Sequence, residues 1–289
     1  MPATARTRRG RPDLDVPGSI LLGGGVLSLL VPLVDAGAGG LHRLWPLWIV
    51  SALLLAVFCW WEAHAGRRGR QPLLNPRLVR IPGYATGTGI GLVYFVGFTG
   101  IWLVLALFLQ DGLGYTPLRS GLTVTPFALG VAVSAVIAGR LVFRFGRWVT
   151  VCGLTAGVVG LVVTALVLRH TSGDAATWAI VGPLLVAGLG GGMVTSPNLT
   201  LTLQHVPVVM AGVAGGAVQT AQRIGAAIGT TVLTMIFYHV LVGTGHAYPV
   251  AVSDALLAAA GFMLLALVLA LAEISRPPPG RLATGSRET

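Results

Sequence analysis

Charge is scarce in this sequence, and lysine is missing altogether. Only 10% of the residues are Asp, Glu, Lys or Arg, where a soluble globular domain carries roughly 25%. A water-facing surface cannot be assembled from so few charges, so a soluble globule is excluded. Cysteine is rare too: Cys59 and Cys152 each lie inside an apolar run, where a thiol behaves as a small hydrophobe, and two such residues make neither a disulfide framework nor a metal site. The nine carboxylates fall at the ends of apolar runs, in loops or in the tails, and the six histidines do not cluster with them. No metal-ligand or acid–base spacing results, which argues against an enzyme and against a metal or organic cofactor.

What the sequence does have is hydrophobicity, 54% of residues and a mean hydropathy of +0.83, together with a basic balance of +10 carried entirely by arginine. A basic chain invites a nucleic-acid reading, but no soluble segment interleaves aromatic and basic residues as a stacking platform. The charge-free intervals point elsewhere. They run from Val16 to Val34, Leu44 to Trp61, Ile81 to Gln110, Ser120 to Gly139, Trp148 to Leu168 and Ala255 to Ala272, and a bilayer-crossing helix needs about 20 apolar residues. The remaining stretch, Ala175 to Gln222, is too long for one crossing. Pro207 after His205 breaks it into helices near 178–203 and 210–240, giving an expectation of eight crossings in an all-α integral membrane protein. The first run follows Arg6, Arg8, Arg9 and Arg11 and resembles a secretory signal, but its length exceeds the usual apolar core of one, and it is read as a retained span.

Arginine placement orients the bundle. With the N-terminus in the cytoplasm, fifteen arginines fall inside, Arg43, Arg119 and Arg169 fall outside, and Arg223 is left within a helix. That is the positive-inside pattern, so the basic balance reflects retention beside anionic lipid. The expectation is a multi-pass protein of the cell membrane with both termini cytoplasmic.

Polar residues then choose faces. At 100° per residue, Gly212, Gly216, Gln219, Arg223, Ala226, Thr230 and Thr234 share one arc of the seventh helix, and Gly188, Gly191, Gly192, Thr195, Asn198 and Thr202 a broader arc of the sixth. Thr86, Thr88, Tyr94 and Thr99 mark the third helix, and Thr123, Thr125 and Ser134 the fourth. These four helices are expected to line a cavity, with candidates Tyr94, Thr99, Thr125, Ser134, Thr195, Asn198, Gln219 and Arg223; the almost purely apolar fifth and eighth are expected at the periphery. Small-residue spacings such as Gly188 with Gly192, Gly225 with Gly229 and Gly212 with Gly216 read as close helix packing. A mid-helix arginine costs on the order of 2.5–3.5 kcal/mol to insert, which makes Arg223 the sharpest single candidate.

Four stretches carry a family resemblance: "LDVPGSILLGGGVLSLLVPLVDAG" at 14–37, "LQDGLGYTPLRSGLTVTPFALG" at 109–130, "GRLVFRFGR" at 139–147 and "AGVAGGAVQTAQRIGAAIG" at 211–229. Together they resemble the C-terminal part of a fourteen-helix drug/proton antiporter of the major facilitator superfamily. The resemblance implies two extra helices plus one six-helix half of a major facilitator fold. The expected division is a basic cytoplasmic segment (1–15), two inserted helices (16–65), a basic cytoplasmic loop (66–80), a six-helix transporter half (81–274) and a disordered cytoplasmic tail (275–289). It also implies an inside-loop signature at Gly139, Arg140, Arg144, Gly146 and Arg147, where Phe143 replaces the acid that often precedes the RxGR core. The implied activity is proton-coupled efflux of small hydrophobic or cationic compounds. The partners expected are the lipid bilayer, a small-molecule substrate and a separate N-terminal half or second copy; nucleic acid is not among them. A transport-inactive scaffold is the alternative.

Overall fold

The computed structural model describes residues 16–34, 43–67, 78, 81–171 and 173–275, and all described regular structure is helical. Two helices, α1 (Val16–Val34) and α2 (Pro46–Arg67), precede six longer ones: α3 (Tyr84–Leu107), α4 (Pro117–Phe145), α5 (Arg147–His170), α6 (Asp174–Leu203), α7 (Ala211–Gly243) and α8 (Tyr248–Ile274). A π-helical segment, Phe108–Gly112, extends α3. The helices α3 to α8, with that extension, are long and apolar enough to cross a membrane. Helices also stand where the first two crossings were expected. The segment 1–15, nearly all of the loop between α2 and α3, and the tail beyond Ser275 lie outside the described residues.

Boundaries drawn at charges prove too tight. The fourth span was expected to stop at Gly139, yet α4 runs to Phe145 and carries Arg140 and Arg144 exposed on its last turns. An arginine near a span end keeps its head group in polar surroundings while its stem stays helical. The expected inside loop at 139–147 is therefore almost all helix: a single residue, Gly146, separates α4 from α5, and its positive φ of 55° with ψ of −133° is a conformation open chiefly to glycine. At the other end of α4, Thr116 accepts a hydrogen bond from Arg119 N at 3.3 Å and Pro117 opens the first turn, the usual start of a helix.

The six long helices form two triplets, α3–α4–α5 and α6–α7–α8, that interlock. α4 packs most extensively on α6, and α7, its counterpart in the second triplet, packs on α3; α5 packs on α6 and α8 on α3, while α5 and α8 pack on each other. The pattern is that of an internal two-fold. Glycines let the crossed pairs approach backbone to backbone. A Cβ on Gly188 of α6 would lie 2.1 Å from Phe127 O of α4, and one on Gly229 of α7 only 1.9 Å from Val96 O of α3. These are the small-residue contacts that replace hydrophobic driving force inside a bilayer. Helices α1 and α2 pair with each other, tied by Ser51 Oγ donating to Gly25 O at 2.8 Å, and reach the bundle where α1 touches α7.

The fifth and eighth helices, expected at the periphery, are tightly held. Together with the α3 and α6 faces they build the main hydrophobic core, with Leu154, Leu161, Ala165, Leu256, Ala259 and Ala266 fully buried. Ser253 Oγ donates to Ala165 O at 2.9 Å, and nearby Arg169 pairs with Asp254. The ion-pair side chains retain 38% and 32% exposure, so Asp254→Asn is expected to shift unfolding in detergent by less than about 1 kcal/mol.

Candidate functional site

Two places concentrate polar side chains. The first is the end of the bundle that holds the α4–α5 corner. Arg147 is the first residue of α5 and Glu273 belongs to the last turn of α8. Each has the wrong sign for its own helix end, and the two correct one another: Arg147 Nη2 donates to Glu273 Oε1 at 2.8 Å, with side chains 8% and 21% exposed. Arg147 Nη1 donates to Asn198 Oδ1 of α6 at 2.6 Å, and Asn198 Nδ2 donates to Gly87 O of α3 at 2.9 Å. Thr202 Oγ1 donates to Asn198 O at 2.6 Å. Glu273 Oε1 also sits beside the start of α3, 3.5 Å from where a Cβ on Gly83 would be, a favourable place for a carboxylate. One guanidinium thus joins α3, α5, α6 and α8. A cavity of about 410 Å³ adjoins it, lined by Arg147, Glu273, Thr200, Gln204, Phe143 and Leu201 among others.

The second place is the flank where α4 and α7 lie. They are the least buried of the six long helices. The glycines of α7 divide by face: Gly225 and Gly229 meet α3, whereas Gly212 and Gly216 have nothing within 4 Å of a built Cβ. Gln219 and Arg223 are exposed on this open arc with Gly212 and Gly216, and Ala226, Thr230 and Thr234 are partly exposed. Along α3, Phe95, Phe98 and Trp102 are partly buried. Phe98 stacks on Tyr94 with centroids 5.1 Å apart, and Trp102 meets Phe127 edge-on at 4.8 Å.

The sequence candidates separate accordingly. Gln219 and Arg223 are exposed; Thr99, Thr125 and Thr195 are partly exposed, the last two donating to Gly121 O and Gly191 O of their own helices. Tyr94, Ser134 and Asn198 are buried. Tyr94 Oη donates to Gly191 O at 3.4 Å, Ser134 Oγ to Val131 O at 3.3 Å, and Asn198 is held in the Arg147 cluster. Of the inside-loop group, Arg140 and Arg144 are exposed, while Arg147 is buried in its ion pair. Glu273 is among the carboxylates that the sequence places at the end of an apolar run, with no partner in view. The signal for its pairing was present in the sign of the charge: an acid at a helix C-terminus needs a reason. Gln222, next to Arg223 in sequence, is instead buried beside α3, with its Nε2 3.5 Å from a Cβ built on Gly91.

The Major Facilitator Superfamily profile matches residues 16–230. The chain belongs to the major facilitator superfamily. The interlocked three-plus-three packing is the arrangement on which that superfamily's six-helix halves are built. Its members are transporters rather than enzymes, as the scattered histidines and carboxylates led us to expect, and the protein is a multi-pass membrane protein in contact with a lipid bilayer. Among similar proteins, the probable actinorhodin transporter of Streptomyces coelicolor is 34% identical over 237 residues, covering 80% of this chain and 40% of the relative. A puromycin resistance protein of Streptomyces alboniger is 30% identical over 306 residues, covering 99% of this chain and 58% of the relative. The tetracenomycin C resistance and export protein of Streptomyces glaucescens is 28% identical over 289 residues, covering 97% and 51%. The chain spans about half the length of these relatives.

Proposed function

We propose that this chain supplies the C-terminal half of an export transporter: residues 16–65 as two inserted helices, 81–274 as one six-helix half, in the plasma membrane with both termini cytoplasmic. The activity proposed is proton-coupled efflux of small hydrophobic compounds, carried out with a separate six-helix half or a second copy. The observation that carries this reading is the contrast between seams. Where helices meet inside the chain they close to backbone contact, while among the described residues the α4 and α7 flank presents exposed Gln219 and Arg223 and two glycines, Gly212 and Gly216, with nothing within 4 Å of a built Cβ. Transport by alternating access needs one such unit to rock against another around a shared site. The relatives' roles in drug resistance and export support the direction and the class of cargo.

Reconstitution tests it. The purified chain alone, in vesicles with an imposed proton gradient, is expected to leave a fluorescent amphiphile undisplaced, and co-purification from native membrane is expected to bring down a second membrane-embedded polypeptide or a second copy. Gradient-driven dye movement by the isolated chain would overturn the half-unit reading.

A further inference from the structure

The open flank has a charge sign, and it runs against the expectation of cationic cargo. Arg223 is exposed on α7 and makes no hydrogen bond or ion pair among the described residues. Gly225 packs against Leu92 and Gly229 against Val96, so the two helices run in register and Arg223 stands level with Ile90, about 9 Å along α3 from its first residue. Among the described residues no acid shares that flank. The carboxylates with described side chains are Asp254, in the second turn of α8 and paired with Arg169, Glu273 in its last turn and paired with Arg147, and Asp111, exposed in the π segment. An arginine in a span faces a cavity or a partner because the hydrocarbon does not solvate it.

A second feature lies beside it. Phe95 and Trp102 share an arc of α3 by helical spacing and, with Phe98, are only partly buried. In the same register Phe95 is level with Ile228, five residues or about 7–8 Å beyond Arg223 toward the other end of the bundle. A planar molecule whose rings meet these aromatic edges places a polar group at its end within reach of the guanidinium, which binds carboxylates and phenolates through paired N–H donors.

Resting on the proposed export function, we infer that Arg223 and the Phe95–Phe98–Trp102 edge form a half-site for aromatic anions, with the negative group on Arg223 and the rings on α3. The site selects against cations, which meet an unneutralised guanidinium and no acid.

The test uses one xanthene scaffold in two charges, anionic fluorescein and cationic rhodamine 6G, at mildly alkaline pH. Binding is read by anisotropy to the full chain in uncharged-lipid nanodiscs. Fluorescein is expected to bind about tenfold more tightly than rhodamine 6G. Arg223→Gln is expected to remove that preference, Arg223→Lys to retain most of it, and Arg140→Gln, a change at an exposed arginine elsewhere, to leave it within about twofold. The wild-type comparison needs no variant, so a poorly folded mutant does not shield the inference. Equal or tighter binding of rhodamine 6G overturns it, as does unchanged fluorescein affinity in Arg223→Gln, the result expected if this arginine serves a carboxylate of another segment. If neither dye binds, the open flank is no binding surface and the inference falls with it; binding with the wrong charge preference sinks the inference and leaves the export reading standing.

Discussion

Replacing Arg147 with methionine is expected to destabilise the folded chain by about 3 kcal/mol, the lower end of the range for breaking a buried ion pair by removing one partner. The loss comes from what stays behind. Glu273 keeps a carboxylate that is only 21% exposed, and Asn198 Oδ1 loses its donor at 2.6 Å while Nδ2 remains bound to Gly87 O. Residual exposure of Glu273 lets water reach it, which is why the lower end applies. The paired substitution Arg147→Met with Glu273→Met removes both charges and is expected to recover most of the deficit, because an apolar pair of similar volume roughly equals a buried salt bridge. Unfolding in mixed micelles, read by near-UV circular dichroism, measures both. A single variant within about 1 kcal/mol of the parent would show that the cluster leaves stability unchanged.

The second large effect lies in the helix seams. Gly229→Ala and Gly188→Ala are each expected to lose about 2–3 kcal/mol, the upper part of the usual range for overpacking, because the new methyl would stand 1.9 Å from Val96 O and 2.1 Å from Phe127 O respectively. Backbone cannot swing aside as a side chain does, so α7 must lift from α3, or α6 from α4. Gly216→Ala is the contrast. It lies inside α7 with nothing within 4 Å of a built Cβ, and in the isolated chain the better helix former is expected to gain up to about 1 kcal/mol. Equal effects at all three positions in the same unfolding assay would refute the division into closed seams and open flank.

That division marks how far the sequence could be read. The helices were legible because spans in lipid must be long, apolar and nearly free of charge; their ends were not, since Arg140 and Arg144 stay helical with their charged ends outside the apolar stretch. The spacing of Gly188 with Gly192 is identical to that of Gly212 with Gly216, and periodicity alone could not tell a filled groove from a bare one. The partner helix decides, and it lies elsewhere in the sequence. The same holds for Glu273, whose arginine is 126 residues away: its sign at a helix end was a clue, but only the fold supplies the partner. Asn198, placed by its helical arc among cavity residues, is buried in the Arg147 cluster because a broad arc on a central helix faces several neighbours at once.

The crossed packing of the two triplets has a consequence for synthesis. Leu92 and Val96 of α3 meet Gly225 and Gly229, which the ribosome makes more than a hundred residues later, and Phe127 of α4 meets Gly188, a whole helix further on. Each early helix must therefore stand in the bilayer as a lone inserted rod until its mate is threaded in. A nascent polypeptide arrested after α6 would display the α3 groove unfilled, and membrane proteases that survey unpaired spans would see it as unfinished.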